Sequence, residues 1–441
     1  MLNIISGFSK LTKLEKINYL VENFLEGSRF SKEKIKSFWH DNALEQKVFD
    51  DFSENTITNF YAPYGVVPNF LLNGKIHCIP MVIEESSVVA ASAKAAKFWL
   101  DRGGFKASVV STIKVGQVHF IWKGESAQLY SFFNEVKSEL IESVSPLVQN
   151  MKKRGGGLLS LELKDCTDLE EGYYQFHGEF ETCDAMGANF INSVLEAIGK
   201  KWQELISLNT SFEQEQRDVQ IVMCILSNYT PKCLVKAWVE CDINELNDSG
   251  LGMEPSEFAN KFARAVRIAQ KDVGRAVTHN KGIFNGIDAV VLATGNDFRA
   301  IEACGHAYAA RDGQYRSLSN CSIENGKFKF EIEIPLALGT VGGLTSLHPM
   351  SKISLDMLGN PNARELMMIT AALGLAQNFG AVRSLVTTGI QKGHMKMHLM
   401  NILNHLEAND QERELARKEF ETQVISFNSV RDFIAGLRNY Q

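Results

Sequence analysis

The chain has 441 residues, of which 45% are hydrophobic and 22% are charged, and its formal net charge is −6. This length predicts two or three domains, and the acidic balance argues against a nucleic-acid-binding protein. No apolar run of membrane-spanning length and no signal-peptide pattern stand out, so we expect a cytoplasmic protein without a membrane partner. The eight cysteines are scattered and form no C-x-x-C pair, which argues against disulfides and thiolate metal sites.

The first hundred residues predict helices and one β-hairpin. Residues 9–60 mix charged and apolar side chains at helical spacing. Two apolar runs, 66–72 and 75–82, flank an Asn-Gly pair, which is the strongest short signal for a hairpin. Residues 88–99 follow a serine cap and are mostly small, which predicts a closely packed helix.

The next hundred residues predict the order βαββαβ. This order is the split motif of a ferredoxin-like domain, and it interrupts a pattern that resumes after it. The predicted strands are 115–123, 158–164, 173–182 and 218–226, and the predicted helices are 126–150 and 187–207.

The second half predicts more helix than strand. Residues 255–276 are amphipathic and predict a helix. Residues 289–293 (AVVLA) are apolar without alternation and lie between turn formers, which predicts a strand covered on both faces. Residues 337–343 predict a glycine-rich turn, and residues 380–441 predict increasingly charged helices.

Three groups of residues could carry chemistry, and each has an ordinary structural alternative. Lys281 and Asp297, on either side of the predicted strand, could stabilise negative charge on oxygen or equally form a structural ion pair. Glu85 lies before the small-residue helix. It could donate a proton, or its carboxylate could simply be stabilised by the dipole at the helix N-terminus. His394 and His398 are four residues apart and could bind a metal, although no H-E-x-x-H pattern supports one, or His394 could be a general acid.

Residues 184–189 (DAMGAN) join a predicted strand to a predicted helix. Glycine permits close backbone approach, and a helix N-terminus offers N–H groups to a phosphate, but a tight turn explains the same pattern. The sequence contains neither G-x-G-x-x-G nor G-x-x-x-x-G-K-[ST], so neither a Rossmann fold nor a P-loop is expected.

Seven motifs closely resemble, in the same order, those of class II 3-hydroxy-3-methylglutaryl-CoA (HMG-CoA) reductase, the soluble bacterial and archaeal type. They are residues 80–91 (PMVIEESSVVAA), 184–189 (DAMGAN), 279–282 (HNKG), 293–297 (ATGND), 339–343 (GTVGG), 374–379 (GLAQNF) and 393–395 (GHM). The likeness covers nearly the whole chain, and the ordered set is far more specific than any single motif.

The resemblance implies a four-electron reduction of HMG-CoA by two NAD(P)H to mevalonate and CoA, a step of isoprenoid synthesis by the mevalonate pathway. It implies that Lys281 stabilises the developing oxyanion and that Glu85 donates a proton to the carbonyl oxygen. Asp297 would hydrogen-bond with both, and His394 would protonate the departing CoA thiolate.

The resemblance also implies which residues bind the ligands. Arg275 would hold the free carboxylate of the substrate, a task suited to a bidentate guanidinium, and Ser87 and Asn285 would add hydrogen bonds. The residues implied to line the nicotinamide cofactor site are Asp184, Met186, Gly187 and Asn189.

The resemblance implies an α+β fold that consists of three parts. It also implies that the protein uses no metal. A large helix-rich domain (1–108 and 216–379) would bind HMG-CoA, and an inserted ferredoxin-like βαββαβ domain (109–215) would bind the cofactor. A C-terminal helical flap or lid (380–441) would close over the site. The resemblance further implies a homodimer or higher homo-oligomer with the active site at the subunit interface.

Three features depart from the family pattern. Residues 54–58 (ENTIT) lack the family's glycine, Ser86 replaces a common proline, and the segment between Gly157 and Asp184 is not close to the family's patterns. Lys152, Lys153 and Arg154, without an adjacent acid, favour NADPH over NADH. The alternatives are an NAD-dependent enzyme that degrades mevalonate by the reverse reaction and a non-catalytic CoA-ester-binding homologue.

Overall fold

The protein was analysed as a computed structural model that describes residues 4–247, 252–387, 399–421, 423 and 425–439. Its N-terminal part contains a 3-10 turn at Phe8–Lys10 and the helices α1 (Lys13–Phe24), α2 (Arg29–Lys36) and α3 (Ala43–Asp50). The strands β1 (Tyr64–Leu72) and β2 (Lys75–Val82) then pair antiparallel around Asn73 and Gly74, both of which have positive φ. The predicted hairpin is confirmed, and so is the small-residue helix, α4 (Val88–Leu100).

The predicted βαββαβ order is confirmed as an antiparallel sheet with strand order β5-β6-β4-β7. The strands are β4 (Lys114–Ile121), β5 (Gly157–Asp165), β6 (Tyr173–Glu181) and β7 (Gln220–Leu226). The helices are α5 (Ser126–Ser143), α6 (Ser145–Lys152) and α7 (Ala188–Leu208). One long helix was predicted where α5 and α6 lie, and the break falls just before Pro146, which takes a position in the first turn of α6.

The large sheet has strand order β3-β8-β10-β9 and is also antiparallel. Its strands are β3 (Lys106–Val109), β8 (Leu234–Asp242), β9 (Ser319–Glu324) and β10 (Lys327–Pro335), with a 3-10 turn at Ile243–Leu246. The accompanying helices are α8 (Pro255–Lys271), α9 (Val273–Ala293), α10 (Phe298–Ala309), α11 (Leu344–Leu347), α12 (Pro349–Met357) and α13 (Ala363–Val386). Residues 399–405 are helical, and α14 (Asp410–Glu419) and α15 (Phe427–Asn439) follow.

Within the described ranges, the buried apolar side chains form three separate clusters. The largest joins the large sheet to α4, α9 and α13, the second lies between the small sheet and its helices, and the third joins the C-terminal helices. The division of the chain into domains stays a prediction, and one predicted boundary does not follow the sheets. A boundary at residue 216 separates β7 from the small sheet, whereas β7 pairs with β4 in that sheet.

The predicted strand at residues 289–293 is wrong, because these residues form the last turns of α9. Many side chains of α9 are buried, among them Ile287, Val290 and Val291. A helix that is buried on most sides is apolar on most sides, so it loses the periodicity that distinguishes a helix from a buried strand.

Helix α13 is the one helix, among the residues described, that is long and apolar enough to cross a membrane. No such run was expected from the sequence, because Arg364 and Glu365 at one end and Arg383 at the other interrupt the apolar stretch. In the fold, 78% of the apolar window of α13 is buried inside the protein. Its composition is therefore explained by packing in the core.

Candidate active site

Glu85 and Lys281 meet at the start of α4 and the middle of α9. The ammonium Nζ of Lys281 donates to Oε2 of Glu85 at 2.5 Å. The side chain of Lys281 is 59% exposed and that of Glu85 is 38% exposed, so the pair is open to a ligand. Glu85 lies in the loop between β2 and α4, and Lys281 lies on α9. A cation and a carboxyl group within hydrogen-bond distance of each other can stabilise an oxyanion and deliver a proton to it.

Of the three predicted substrate-binding residues, Arg275 and Asn285 lie on α9 and Ser87 directly precedes α4. Asn285, one turn after Lys281 in α9, donates from Nδ2 to Oε2 of Glu85 at 3.4 Å. Ser87 precedes α4 with a left-handed backbone (φ 77°), and its hydroxyl makes no capping bond. Non-glycine residues in this conformation are strained and concentrate at functional sites.

Arg275 lies in the first turn of α9, where its backbone N–H donates to Oδ1 of Asp272 at 2.6 Å. Its side chain is half-buried, and burial lowers the pKa of its guanidinium. Within the described part of the chain, no carboxylate forms an ion pair with Arg275. A partly desolvated guanidinium without an acid partner is suited to bind a substrate carboxylate.

Asp297 does not join Glu85 and Lys281 in the single chain. Its carboxylate caps α10 by accepting from the N–H groups of Arg299 and Ala300 and also forms an ion pair with the Arg299 guanidinium at 2.9 Å. The side-chain hydrogen bond from Arg299 lowers the pKa of Asp297. Lys281 and the end of α9 are separated by about 18 Å along the helix axis, so Asp297 lies far from the Lys281 ammonium of its own chain.

A buried polar ring supports the turn of α9 that carries Lys281, and sequence reasoning missed it. Ser319 donates from Oγ to Oδ1 of Asn378 at 2.8 Å, so its Oγ must accept from Nε2 of His279, 2.7 Å away. Asn378 in turn donates to the backbone carbonyl of His279 at 3.5 Å. Burial lowers the pKa of His279 to about 3, which keeps its imidazole neutral. The hydrogen bonds among His279, Ser319 and Asn378 fix α9 against β9 and α13.

The predicted cofactor residues form one compact turn before α7. Gly187 has φ 97°, and an added Cβ would lie 2.5 Å from Cγ2 of Thr182. The first N–H groups of α7, including that of Asn189, lack acceptors within the helix and can bind an anion. The backbone N of Met186 lies 2.5 Å from the position a Cβ on Gly339 would take, so only glycine fits there. These features suit a nicotinamide dinucleotide, whose pyrophosphate requires close backbone approach.

Contacts fix this turn, hereafter the 184–187 turn, against the start of α13 and the segment 339–341. Oδ1 of Asp184 accepts from the backbone N of Ala363 at the start of α13 at 2.9 Å. Ala185 forms a β-bridge with Val341. Gly339 donates its N–H to Oδ1 of Asn296 at 2.8 Å, and Asn296 immediately precedes Asp297. The turn is therefore linked through the 339–341 segment to Asp297, at the far end of α9 from Lys281.

His394 and His398 lie outside the described residues, so their positions are not known. Among the residues that are described, no group of three His, Cys, Asp or Glu side chains could hold a metal ion.

Comparison with known proteins shows the family of the chain. The family model for hydroxymethylglutaryl-coenzyme A reductase matches residues 15–399. The chain is 35% identical over 400 residues to the 3-hydroxy-3-methylglutaryl-coenzyme A reductase of Archaeoglobus fulgidus, covering 90% of this chain and 86% of that protein. The chain belongs to the HMG-CoA reductase family. It is an NAD(P)H-dependent oxidoreductase that reduces HMG-CoA to mevalonate and CoA.

Further relatives place the chain in class II of HMG-CoA reductases. A probable HMG-CoA reductase of Borreliella burgdorferi is 36% identical over 406 residues, covering 92% of this chain and 89% of that one. The class II enzyme of Streptococcus pneumoniae, solved bound to NADPH in open conformations, is 37% identical with a TM-score of 0.72. That match covers 87% of this chain and all of the other. These comparisons favour neither the mevalonate-degrading nor the non-catalytic alternative.

Proposed function

We propose that Glu85 and Lys281 carry out the reduction of HMG-CoA, with Arg275, Ser87 and Asn285 holding the substrate. The observation that carries this proposal is the 2.5 Å contact between the Lys281 ammonium and the Glu85 carboxyl group, on an open surface. Arg275 lies on the same helix as Lys281, and among the described residues its guanidinium has no carboxylate ion-pair partner, so it can bind the carboxylate end of the substrate.

Each residue has a defined task in the two reductions. A bound nicotinamide supplies the hydride in each. In the first, Lys281 stabilises the oxyanion that forms when the thioester carbonyl carbon gains hydride, and the C–S bond then breaks to release CoA as a thiolate. His394 protonates that thiolate, as the family resemblance implies. In the second, the aldehyde carbon gains hydride, and Glu85 donates the proton that its oxygen needs.

The cofactor site that we propose is the 184–187 turn together with the N-terminus of α7, with Asp184, Met186, Gly187 and Asn189 lining it. We further propose that NADPH is preferred to NADH. Lys152, Lys153 and Arg154 end α6 and begin the next turn, where the carbonyl of Arg154 accepts from Sγ of Cys183 at 3.2 Å. Basic side chains beside the cofactor turn favour a nucleotide with an additional 2′-phosphate.

The proposed site is shared between two copies of the chain. Glu85 and Lys281 meet in the middle of α9, whereas Asp297 follows the end of this helix, about 18 Å away along its axis. The 184–187 turn is linked to the Asp297 end through Gly339 and Asn296. Hydride transfer needs the cofactor and the substrate in contact. A two-fold dimer that places the Lys281 end of one protomer against the Asp297 end of its partner brings the two halves together. We also propose a cytoplasmic enzyme that works in the biosynthetic direction.

The test is turnover by Glu85→Gln and Lys281→Ala, compared with the exposed control Lys261→Ala. NADPH oxidation with HMG-CoA is followed by absorbance, and folding by circular dichroism. We expect both site variants to lose about a thousandfold in kcat and the control to keep it. A site variant that stays folded and turns over at the rate of the control contradicts the role assigned to that residue.

A further inference from the structure

Lys114, the first residue of β4, is a buried lysine that the reaction scheme leaves unused. It is 4% exposed. Its Nζ donates to Oγ1 of Thr182 at 2.5 Å and to the backbone carbonyl of Ala185 at 2.9 Å. In the described part of the chain, no carboxylate lies within ion-pair distance of it. Burying an ammonium without an ion pair destabilises the fold, and such groups are retained mainly where a site needs the charge.

The two acceptors of Lys114 are the residues that shape the 184–187 turn. Thr182 also donates from Oγ1 to the carbonyl of Ala185 at 2.7 Å, and Ala185 donates its N–H to the carbonyl of Thr182 at 3.0 Å. Gly187 packs against the methyl group of Thr182. The ammonium therefore holds the strand end and the turn together from beneath.

The charge of Lys114 also lies on the inner side of an anion-binding helix end. The N-terminus of α7 presents free N–H groups and a partial positive charge on the outer side of the same turn. The carboxylates of Glu181 and Asp184 lie near enough to raise the pKa of Lys114, although burial outweighs them and lowers it. Because the site is shielded from water, the ammonium attracts an anion on the turn more strongly than a surface lysine would.

We propose that Lys114 is a positioning residue for the anionic dinucleotide cofactor, which it serves by fixing the 184–187 turn and by adding positive charge beneath it. This inference rests on the proposed function, because it takes the turn to be the cofactor site. Lys114 does not touch the cofactor, so its removal should weaken cofactor binding without changing the binding of HMG-CoA.

The experiment compares Lys114→Met with Lys201→Met in the full-length protein. Lys201 lies on α7 of the same small domain, and its ion pairs with Glu139 (3.0 Å) and Glu204 (3.2 Å) are at the surface. NADPH is titrated by its fluorescence and HMG-CoA by calorimetry. Amide hydrogen exchange of residues 183–188 is measured without ligand.

We expect Lys114→Met to weaken NADPH binding by about tenfold or more, to leave HMG-CoA binding within about twofold, and to speed exchange in the turn. Lys201→Met should change none of these. A folded Lys114→Met that binds NADPH as the wild type does overturns the inference, and so does an equal loss of affinity for both ligands.

Two additions keep the outcome decisive. If Lys114→Met does not fold, Thr182→Val tests the inference in its place, since it keeps the charge of Lys114 and removes one of its two acceptors. Thr182→Val should weaken NADPH binding and speed hydrogen exchange in the turn. A Thr182→Val variant that behaves as the wild type overturns the inference. If the wild type binds no NADPH, the proposed cofactor site fails. The exchange measurement then still decides whether Lys114 holds the turn.

Discussion

Ser87 combines an unfavourable backbone conformation with a predicted contact to substrate. Its φ of 77° costs an L-residue about 1–2 kcal/mol relative to glycine. We expect Ser87→Gly to raise the unfolding free energy by about 1 kcal/mol and to lower activity, because the hydroxyl is lost. Ser87→Ala should lower activity to a similar degree without the gain in stability. Thermal unfolding and steady-state kinetics separate the two effects, and equal melting temperatures for the two variants would sink the strain argument.

Asp288 should make stability depend on pH near neutrality. Burial, and then the neighbouring Glu302 carboxyl group, raise the pKa of Asp288 to about 8, and its Oδ1 is buried without a hydrogen-bond partner in the described chain. Between about pH 4 and pH 8 the folded state therefore holds a proton that the unfolded chain releases. The free energy of unfolding then falls as pH rises through that window.

Asp288→Asn removes this titrating carboxyl group. The unfolding free energy of the variant minus that of the wild type should therefore increase from about pH 5 to about pH 8. Glu302→Gln should weaken the wild-type dependence, because it removes the second cause of the raised pKa. The measurement is the melting temperature of the three proteins across this range. A difference between Asp288→Asn and wild type that stays constant with pH would refute the assignment.

The family motifs grouped Glu85, Lys281 and Asn285, which are neighbours in the structure. Motifs can group such residues because they indicate a common reaction even when the secondary structure around them is predicted wrongly. They gave no indication of Lys114. A lysine in a sequence is exposed by default, and only the packing of β4 beneath the 184–187 turn makes this one buried. The separation of Asp297 from Lys281 was equally hidden, since it depends on whether the intervening residues are helix or strand.

At the level of elements, the approach of α9 to α13 sets the position of Lys281. An added Cβ on Gly286 would lie 2.9 Å from the carbonyl oxygen of Leu373 and 2.9 Å from Cβ of Gln377. Backbone atoms of a buried helix cannot move aside, so Gly286→Ala should destabilise the protein by about 1–3 kcal/mol. It should also lower kcat by displacing the Lys281 turn from Glu85.

Gly282 provides a matched control in the same helix. An added Cβ there meets nothing within 4 Å, so Gly282→Ala should gain about 0.5–1 kcal/mol from the helix preference of alanine. Thermal unfolding of the two variants should therefore give shifts of opposite sign. Shifts of the same sign would show that the two helices do not pack as described.

Elements with clear local signals were predicted within a few residues. The hairpin has its Asn-Gly turn, and the small sheet alternates buried and half-buried residues along β6 and along most of β4. The failure at residues 289–293 has a physical cause: short apolar runs without alternation suit a buried strand and a buried helix equally. Tertiary packing decides between them, and here α9 is buried between α4, α10 and α13.

For the whole molecule, the proposed sharing of the site between two copies predicts complementation between two inactive variants. Lys281→Ala and Asp297→Asn should each be inactive alone. In a mixed dimer, one of the two sites receives its lysine from one protomer and its aspartate from the partner, and is intact. Random assembly should therefore restore about a quarter of wild-type activity.

Activity of co-expressed or subunit-exchanged variants measures this. The control is a mixture of Lys281→Ala with Glu85→Gln, whose defects lie on the same half of the site. In that mixture each site carries one of the two defects, so no activity returns. Absence of recovery in the first mixture, with mixed dimers present, would place the whole site within one chain.

Helix α13 also has a consequence for how the protein is made. It is apolar enough to enter a membrane, yet its packing partners in the core, α4, α8, α9 and the strands β3, β8 and β10, all precede it in the chain. Because the ribosome delivers the N-terminal side first, the groove that receives α13 is synthesised before the helix emerges. A circular permutant that began with α13 would expose this helix before its partners exist, and we expect it to aggregate or associate with membranes during synthesis.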